Sequence, residues 1–278
     1  MGGPRFSVVI PAYNEERWIG ECLRSLSHQD FAGGYEVIVV DNNCTDRTAE
    51  IARGYGATVV PELTPGVCAA RNRGTLAARG EIVVSTDADT VFDTGWLTGI
   101  DRRFRQAPER VAVAGPCRYP DGPWWGKVYV RVLFEGVHVT YQLTGRVGYV
   151  TATNIAFRKD AWSGYDVTGT QGADELGLLR QLRSRGKVAF DRGNPTSTSA
   201  RRLAQGLTYN VVVSFLYYYA LAVMLNRMAG RTVIGTAPCF RTDRAWPPAR
   251  RYRTRLVAIG WLVVAAAATV LTDRLMDS

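Results

Sequence analysis

Asp87-Ala88-Asp89 places two carboxylates one residue apart, directly after the apolar, β-branched run Ile82-Val83-Val84. Such a run ending in acids is the pattern of a buried parallel strand emerging at a site. If strand geometry continues through them, Asp87 and Asp89 lie on one face, because strand side chains repeat every two residues. Neighbouring anions repel, so the pair sits in water or meets a cation. The chemistry that uses both is a divalent ion held by oxygen ligands and shared with a nucleotide diphosphate. An isolated Asp-x-Asp is more often a plain acidic turn, so the surroundings have to decide.

The elements that would carry these acids are legible on either side. Phe6 to Pro11 reads as a first buried strand, and Ala12-Tyr13-Asn14-Glu15-Glu16 as the loop leaving its carboxyl end. Trp18, Ile19, Cys22, Leu23 and Leu26 recur at helical spacing. Tyr35 to Val40 is a second strand ending at Asp41, followed by a polar turn and a helix near Thr48 to Arg53, with Thr45 or Asp46 as its cap. Ala57 to Val60 gives a third strand, and Val67 to Ala78 a helix carrying Arg71. The order β-α-β-α-β-α-β is that of an open parallel sheet covered by helices, which binds ligands at the carboxyl ends of its strands. Pro11 to Glu15, Asp41 and Asp87 to Asp89 all fall there.

Further along, Trp96 to Phe104 predicts a helix and Val111 to Gly115 a strand. Between Pro116 and Tyr149 the pattern weakens into an aromatic-rich mobile or helical cover. Val150 to Arg158 predicts a strand, Asp174 to Arg185 a helix with Leu176, Leu179 and Leu182 proposed for its stripe, and Lys187 to Phe190 another strand.

Composition removes several function classes. Hydrophobic residues at 46% and charged residues at 21% exclude a disordered chain and a wholly membrane-embedded one. The net charge of +9 suits an anionic partner, either nucleotide phosphates or an anionic membrane surface; no nucleic-acid-binding motif accompanies it. Five cysteines without close-pair spacing favour a reducing compartment and argue against structural zinc. With His28 and His138 the only histidines, a histidine metal site or a Ser-His-Asp triad has little to draw on. The run Phe6 to Ile10 is too short for a signal peptide.

Taken together, Val9-Ile10-Pro11-Ala12-Tyr13-Asn14-Glu15, Val39-Val40-Asp41-Asn42, Ala70-Arg71-Asn72-Arg73-Gly74, Thr86-Asp87-Ala88-Asp89 and Thr153-Asn154-Ile155-Ala156-Phe157-Arg158, in that order, strongly resemble the family-2 glycosyltransferases with the GT-A fold. The resemblance continues through the Asp174 helix and Ser199-Ala200-Arg201-Arg202 and covers roughly residues 5 to 203. It implies an α/β catalytic domain over 1–203, with a Rossmann-like, mixed but mainly parallel sheet flanked by helices. It also implies an inverting transfer from a UDP- or GDP-sugar. By that likeness Pro11, Ala12, Tyr13, Asn14, Glu15 and Asp41 hold the base and ribose, and Arg71 lies near the base or diphosphate. Asp87, Ala88 and Asp89 meet the nucleotide, with Asp89 chiefly, and Asp87 as a second ligand, holding Mg²⁺ or Mn²⁺. Arg202, with Arg201 beside it, adds positive charge at the diphosphate. The pair is equally readable as solvated or membrane-facing.

Two departures stand out. Where the family often has Asp-Asp after the second strand, this chain has Asp41-Asn42; Asn still offers an acceptor, so the change is expected to be tolerated. Where the family usually has Glu-Asp before the later helix, the chain reads Ala173-Asp174-Glu175. Asp174 aligns with the catalytic base, and a slip of one residue gives the role to Glu175. A carboxylate in a first helical turn is also a stabilising cap. Asn154 is a candidate acceptor contact, or a buried amide satisfying strand ends. A nucleotidyltransferase of similar sheet would want a glycine-rich loop after the first strand, and a dinucleotide dehydrogenase likewise; Pro11 to Glu15 has none. A catalytically inactive nucleotide-sugar-binding scaffold is the remaining alternative.

Residues 204–278 form an expected membrane-associating region of hydrophobic helices. Leu207 to Asn226 is twenty residues without a charge and Leu256 to Thr272 is seventeen; a helical span needs about 20, with roughly 17 as the lower limit. Two spans would put the Arg-rich connection between them outside, against the positive-inside rule. The preferred reading is therefore an interfacial or re-entrant helix over 207–226 and a single transmembrane helix over 256–272, on the cytoplasmic face of a membrane, with two full spans or two core helices of a soluble protein as the alternatives. Such attachment implies a lipid or lipid-linked acceptor.

Overall fold

The computed structural model describes residues 3–167 and 174–206, leaving out the side chains of Asp174, Arg202, Ala204 and Gln205. The apolar runs at 207–226 and 256–272 lie outside the described residues. Among the described residues, no helix is long and apolar enough to cross a membrane.

The chain begins with β1 (Phe6–Ala12), α1 (Ile19–Ser27), β2 (Tyr35–Asp41), α2 (Thr48–Gly54), β3 (Thr58–Pro61), α3 (Val67–Ala77) and β4 (Ile82–Ser85). It continues through β5 (Thr90–Phe92), α4 (Trp96–Gln106), β6 (Arg110–Ala114), β7 (Cys117–Arg118), α5 (Trp124–Thr144) and β8 (Ile155–Arg158). After these come α6 (Asp174–Arg185), β9 (Lys187–Phe190), β10 (Thr196–Thr198) and a 3-10 turn, Ala200–Gln205.

Seven strands form the main sheet in the order β3-β2-β1-β4-β8-β6-β9. Neighbours run parallel except at β8, which is antiparallel to both β4 and β6. This is a mixed α/β architecture with a mainly parallel sheet. Its strands read as continuous apolar runs because both faces are covered. Phe6, Val8 and Ile10 point into a core shared with Leu23 and Leu26 of α1 and Trp96, Leu97 and Ile100 of α4. Val9 and Val83 point the other way, against Ala70 of α3, Phe134 and Val137 of α5, and Leu179 and Leu182 of α6. Each such aliphatic side chain contributes about 1.5–3 kcal/mol by leaving water.

Gly74 lets α3 lie close on this sheet. A Cβ there would fall 2.4 Å from Val9 Cγ1 and 2.8 Å from Val40 Cγ2. Arg71, one turn earlier on the same helix, is thereby held against the end of β4.

Two findings depart from expectation and one sharpens it. Of the mobile or helical forms expected for the cover over 116–149, the structure has a 21-residue helix, α5. Its pattern is weak because Gly126, Val130, Phe134 and Val137 are buried while Trp124, Val128, Val139 and Leu143 stay exposed, so the two faces lack polar contrast. The strand expected over 150–158 forms only at Ile155–Arg158, and Thr151 to Asn154 turn before it. Finally, β5, β10 and β7 make a second, three-stranded sheet. With two or three residues each they carry no readable alternation.

Candidate active site

The carboxyl ends of β1, β2 and β4 meet at one rim. Ala12 pairs with Asp41 across β1 and β2, and Thr86 N–H donates to Val9 O at 3.2 Å across β1 and β4. The loop after β1 is pinned to the loop after β2. Asn14, in the left-handed region at φ 53°, accepts from Thr45 N–H at 2.8 Å. Glu15 N–H donates to Thr48 Oγ1 at 2.8 Å, and Glu16 N–H to Asp46 Oδ2 at 3.0 Å. Asp46 Oδ1 also accepts from Thr48 N–H at 3.0 Å; the cap position expected of Thr45 or Asp46 is held instead by Arg47, with Asp46 bonding the first turn from one residue before it. Pro11 and Tyr13 are half-buried beside these contacts, and Asp41 turns back to accept from Cys44 N–H at 2.8 Å.

Strand geometry stops at Ser85, so Asp87 and Asp89 are not placed by a continuing pleat. They sit in a tight turn closed by Thr90 N–H donating to Asp87 O at 3.2 Å, with Ala88 buried beneath. Each acid meets its own arginine. Arg71, buried on α3, donates from Nη2 to Asp87 Oδ1 at 2.5 Å and from Nε to Ser85 Oγ at 3.2 Å. Arg201 donates to Asp89 Oδ2 from Nη2 at 2.7 Å and from Nε at 3.1 Å, and from Nη2 to Glu15 Oε1 at 3.0 Å. Its guanidinium carbon lies 5.4 Å from the centre of the Trp18 ring. Trp18, expected on the packing stripe of the first helix, is thus a platform for this cation.

The small sheet brings Arg201 there. Thr198 pairs with Thr90 in the antiparallel β10–β5 register, and Thr198 Oγ1 lies 3.2 Å from Asp89 Oδ1. Ser199 N–H donates to Asp89 O at 3.3 Å, so the next turn starts directly over the acid. Of the expected Arg201-Arg202 pair, Arg201 is the one seen at the acids; the Arg202 side chain lies outside the described residues.

Three carboxylates, Glu15, Asp87 and Asp89, therefore face two guanidiniums. Burial pushes Glu15 up to about 7; Arg201 opposes this, while Asp89 and Asp87 add to it. For Arg201, burial disfavours the charge but Asp89 and Glu15 outweigh it, and its pKa is raised. Glu15 Oε2 is 3.0 Å from Arg201 Nη1, yet it is buried and makes no hydrogen bond among the described residues. Between the Glu15 value of 4.5 expected without burial and about 7, the native state binds more protons than the unfolded chain, so stability falls as pH rises across that window. Glu15→Gln is accordingly expected to raise the melting temperature at about pH 8 and to leave it unchanged at about pH 4. A variant that melts lower at the higher pH would contradict the assignment.

Asn42, mentioned only as a departure from the family pattern, proves to be an organiser. Buried behind Asp41, its Nδ2 donates to Glu62 O at 2.9 Å and Thr64 O at 2.7 Å, and its Oδ1 accepts from Gly66 N–H at 2.8 Å. This fixes the loop that starts α3. The acceptor on which tolerance of Asn42 was expected to rest is used by Gly66 N–H, and its two donors are in use as well. Asn42→Asp is expected to cost about 2–4 kcal/mol by leaving both carbonyls unpaired beside a charge. Urea denaturation checks this, and a loss below about 0.5 kcal/mol would refute it.

Asn154 is also buried, and its amide is fully engaged. Oδ1 accepts from Trp96 Nε1 at 3.0 Å, and Nδ2 donates to Pro116 O at 3.0 Å and Asn194 O at 2.9 Å. These bonds are the ones expected of a buried amide, the second of its two readings. Asp174 is the first residue of α6, with its side chain outside the described residues, and Glu175 is half-buried.

The sequence matches the model of the family described as Glycosyl transferase family 2 over residues 7–164. The chain belongs to that family. An uncharacterized glycosyltransferase of Mycobacterium tuberculosis is 42% identical over 224 residues, covering 79% of this family member and 98% of the relative. Among solved structures, a mannosyltransferase from Pyrobaculum calidifontis in complex with GDP-Man and Mn²⁺ aligns at TM-score 0.62 and 20% identity, covering 97% of this glycosyltransferase and 74% of that chain. TarS 1-349 of S. aureus in complex with UDP-GlcNAc aligns at TM-score 0.59 and 21% identity, covering 71% of this chain and 59% of that one. At those identities the likeness is one of fold, and the mixed, mainly parallel sheet agrees with it.

Proposed function

We propose that the protein transfers a sugar, with inversion, from a uridine or guanosine diphosphate sugar to a hydroxyl or phosphate of a lipid or lipid-linked acceptor. One observation carries the reading: Glu15, Asp87 and Asp89, which follow β1 and β4, meet Arg71 and Arg201 at the rim where Asp41 ends β2. The family and the GDP-Man and UDP-GlcNAc complexes of the structural neighbours support the choice of donor.

In this reading the loop Pro11 to Glu15 and Asp41 hold the base and ribose, while Arg71 keeps Asp87 fixed at the nucleotide. Among the described residues no cluster of three Asp, Glu, His or Cys stands ready to hold a metal alone. Asp89 and Glu15, both paired with Arg201 and with Glu15 Oε2 making no hydrogen bond among the described residues, nonetheless offer the hard oxygen donors that Mg²⁺ or Mn²⁺ takes when phosphates complete its shell. Such an ion, held chiefly by Asp89, would stabilise the charge on the departing diphosphate. Asp174 takes the proton from the attacking acceptor hydroxyl, with Glu175 as the alternative base. A single displacement inverts the anomeric carbon.

The uncharged runs at 207–226 and 256–272, flanked by arginines, support attachment at the cytoplasmic face of a membrane and hence the lipid-linked acceptor. The test is to incubate membranes carrying the protein with a panel of nucleotide sugars and Mn²⁺ or Mg²⁺. Release of a nucleoside diphosphate, with a labelled product extracted into organic solvent, is expected. Release of label only as free sugar or into water-soluble product would remove the lipid acceptor from the reading.

A further inference from the structure

We propose that Arg201 is a tethered counter-ion that occupies the cation position between Asp89 and Glu15 until a diphosphate draws it away. This rests on the functional reading above and concerns how the donor and its metal enter. A single nitrogen, Nη2, lies 2.7 Å from Asp89 Oδ2 and 3.0 Å from Glu15 Oε1, so the guanidinium bridges the two carboxylates best placed to hold an ion. Charge-assisted bonds of this kind are among the stronger ones in proteins, and a bare divalent ion has to displace them.

The backbone beneath the side chain is fixed. Ser199 N–H donates to Asp89 O at 3.3 Å and Ala200 N–H to Asp121 Oδ1 at 3.1 Å. The Arg201 side chain itself is 31% exposed and lies over the half-buried ring of Trp18, so it can leave the acids by rotation about its own bonds without moving the turn. A diphosphate gives the planar fork an alternative set of oxygens that it matches in pairs. Nucleotide and cation then assist each other: the phosphates take up Arg201, which frees Asp89, and the ion neutralises the phosphates. By linkage the assistance is reciprocal.

The experiment measures Mn²⁺ binding by electron paramagnetic resonance on the purified full chain at about pH 8, with and without UDP and GDP, for the wild type and Arg201→Gln. Without nucleotide, the glutamine variant is expected to bind Mn²⁺ about tenfold more tightly, equal to about 1.4 kcal/mol. Adding the nucleoside diphosphate should tighten Mn²⁺ binding strongly in the wild type and by a smaller factor in the variant. Mn²⁺ affinity that is unchanged or weaker in Arg201→Gln, while the nucleotide still promotes binding, overturns this inference and leaves the functional reading standing. Failure of both proteins to bind Mn²⁺ with either nucleotide overturns the metal part of the functional reading and this inference with it. Circular dichroism monitors folding. Were the glutamine variant unfolded, Arg201→Met, which removes the charge and keeps an unbranched stem against Trp18, decides on the same criterion.

Discussion

Asp89→Asn is expected to lower sugar transfer by about 10²–10³-fold or more, the scale of losing one preorganised group that stabilises charge in the transition state. The substitution keeps the shape of the side chain and an acceptor for Thr198 Oγ1, 3.2 Å away, so the turn over β4 should persist. Arg201 retains Glu15 as a partner at 3.0 Å. What disappears is the negative charge at the position best suited to an ion and a leaving diphosphate. Nucleoside diphosphate release measured at saturating metal checks this. Transfer at a wild-type rate by a folded Asp89→Asn protein would end the proposal that this carboxylate takes part in the chemistry.

The second large effect is at the start of α6. Asp174→Asn should reduce transfer by about 10²–10⁴-fold, the range for a general base, while nucleotide affinity stays within about twofold. The separation of the two readouts is what identifies the role. Loss of affinity and turnover together would mean that Asp174 holds the helix start or the donor instead. Glu175→Gln, measured alongside, decides between neighbours: the base is the one whose removal spares binding.

Much of the fold was legible because buried strands and amphipathic helices announce themselves locally. β1, β2 and β4 appear as β-branched runs, α1 and α4 as stripes, and the acids sit where those runs end. The legibility failed in identifiable places. The reversed direction of β8 depends on which strands it joins, β4 and β6, and nothing within Ile155–Arg158 encodes that. The helix over 124–144 was blurred because its exposed face is itself apolar. The polar residues divided similarly. Asn42 and Asn154 were noticed, yet which of their hydrogen-bonding groups matter was unreadable, because their partners, main-chain atoms and for Asn154 also the Trp96 indole, lie between 20 and 58 residues away.

The arginines divide along the same line. Arg71 could be anticipated from its helix and its neighbours Asn72 and Gly74. Arg201 could not be chosen over Arg202, since two adjacent arginines have the same local signature, and the ion pair of Arg201 with Asp89 exists only in the folded chain.

By itself the sequence determined the layered α/β class, the rim at which the acids gather and the family to which they belong, because all three follow from short-range periodicity and from motifs in a fixed order. The tertiary structure alone decided that Asp87 and Asp89 take separate arginines, that Trp18 carries one of them, and that burial raises the pKa of Glu15. The physical reason is that charge pairing and desolvation depend on distances between atoms far apart in the chain. Residues 89 and 201 come together only once β10 has added to β5.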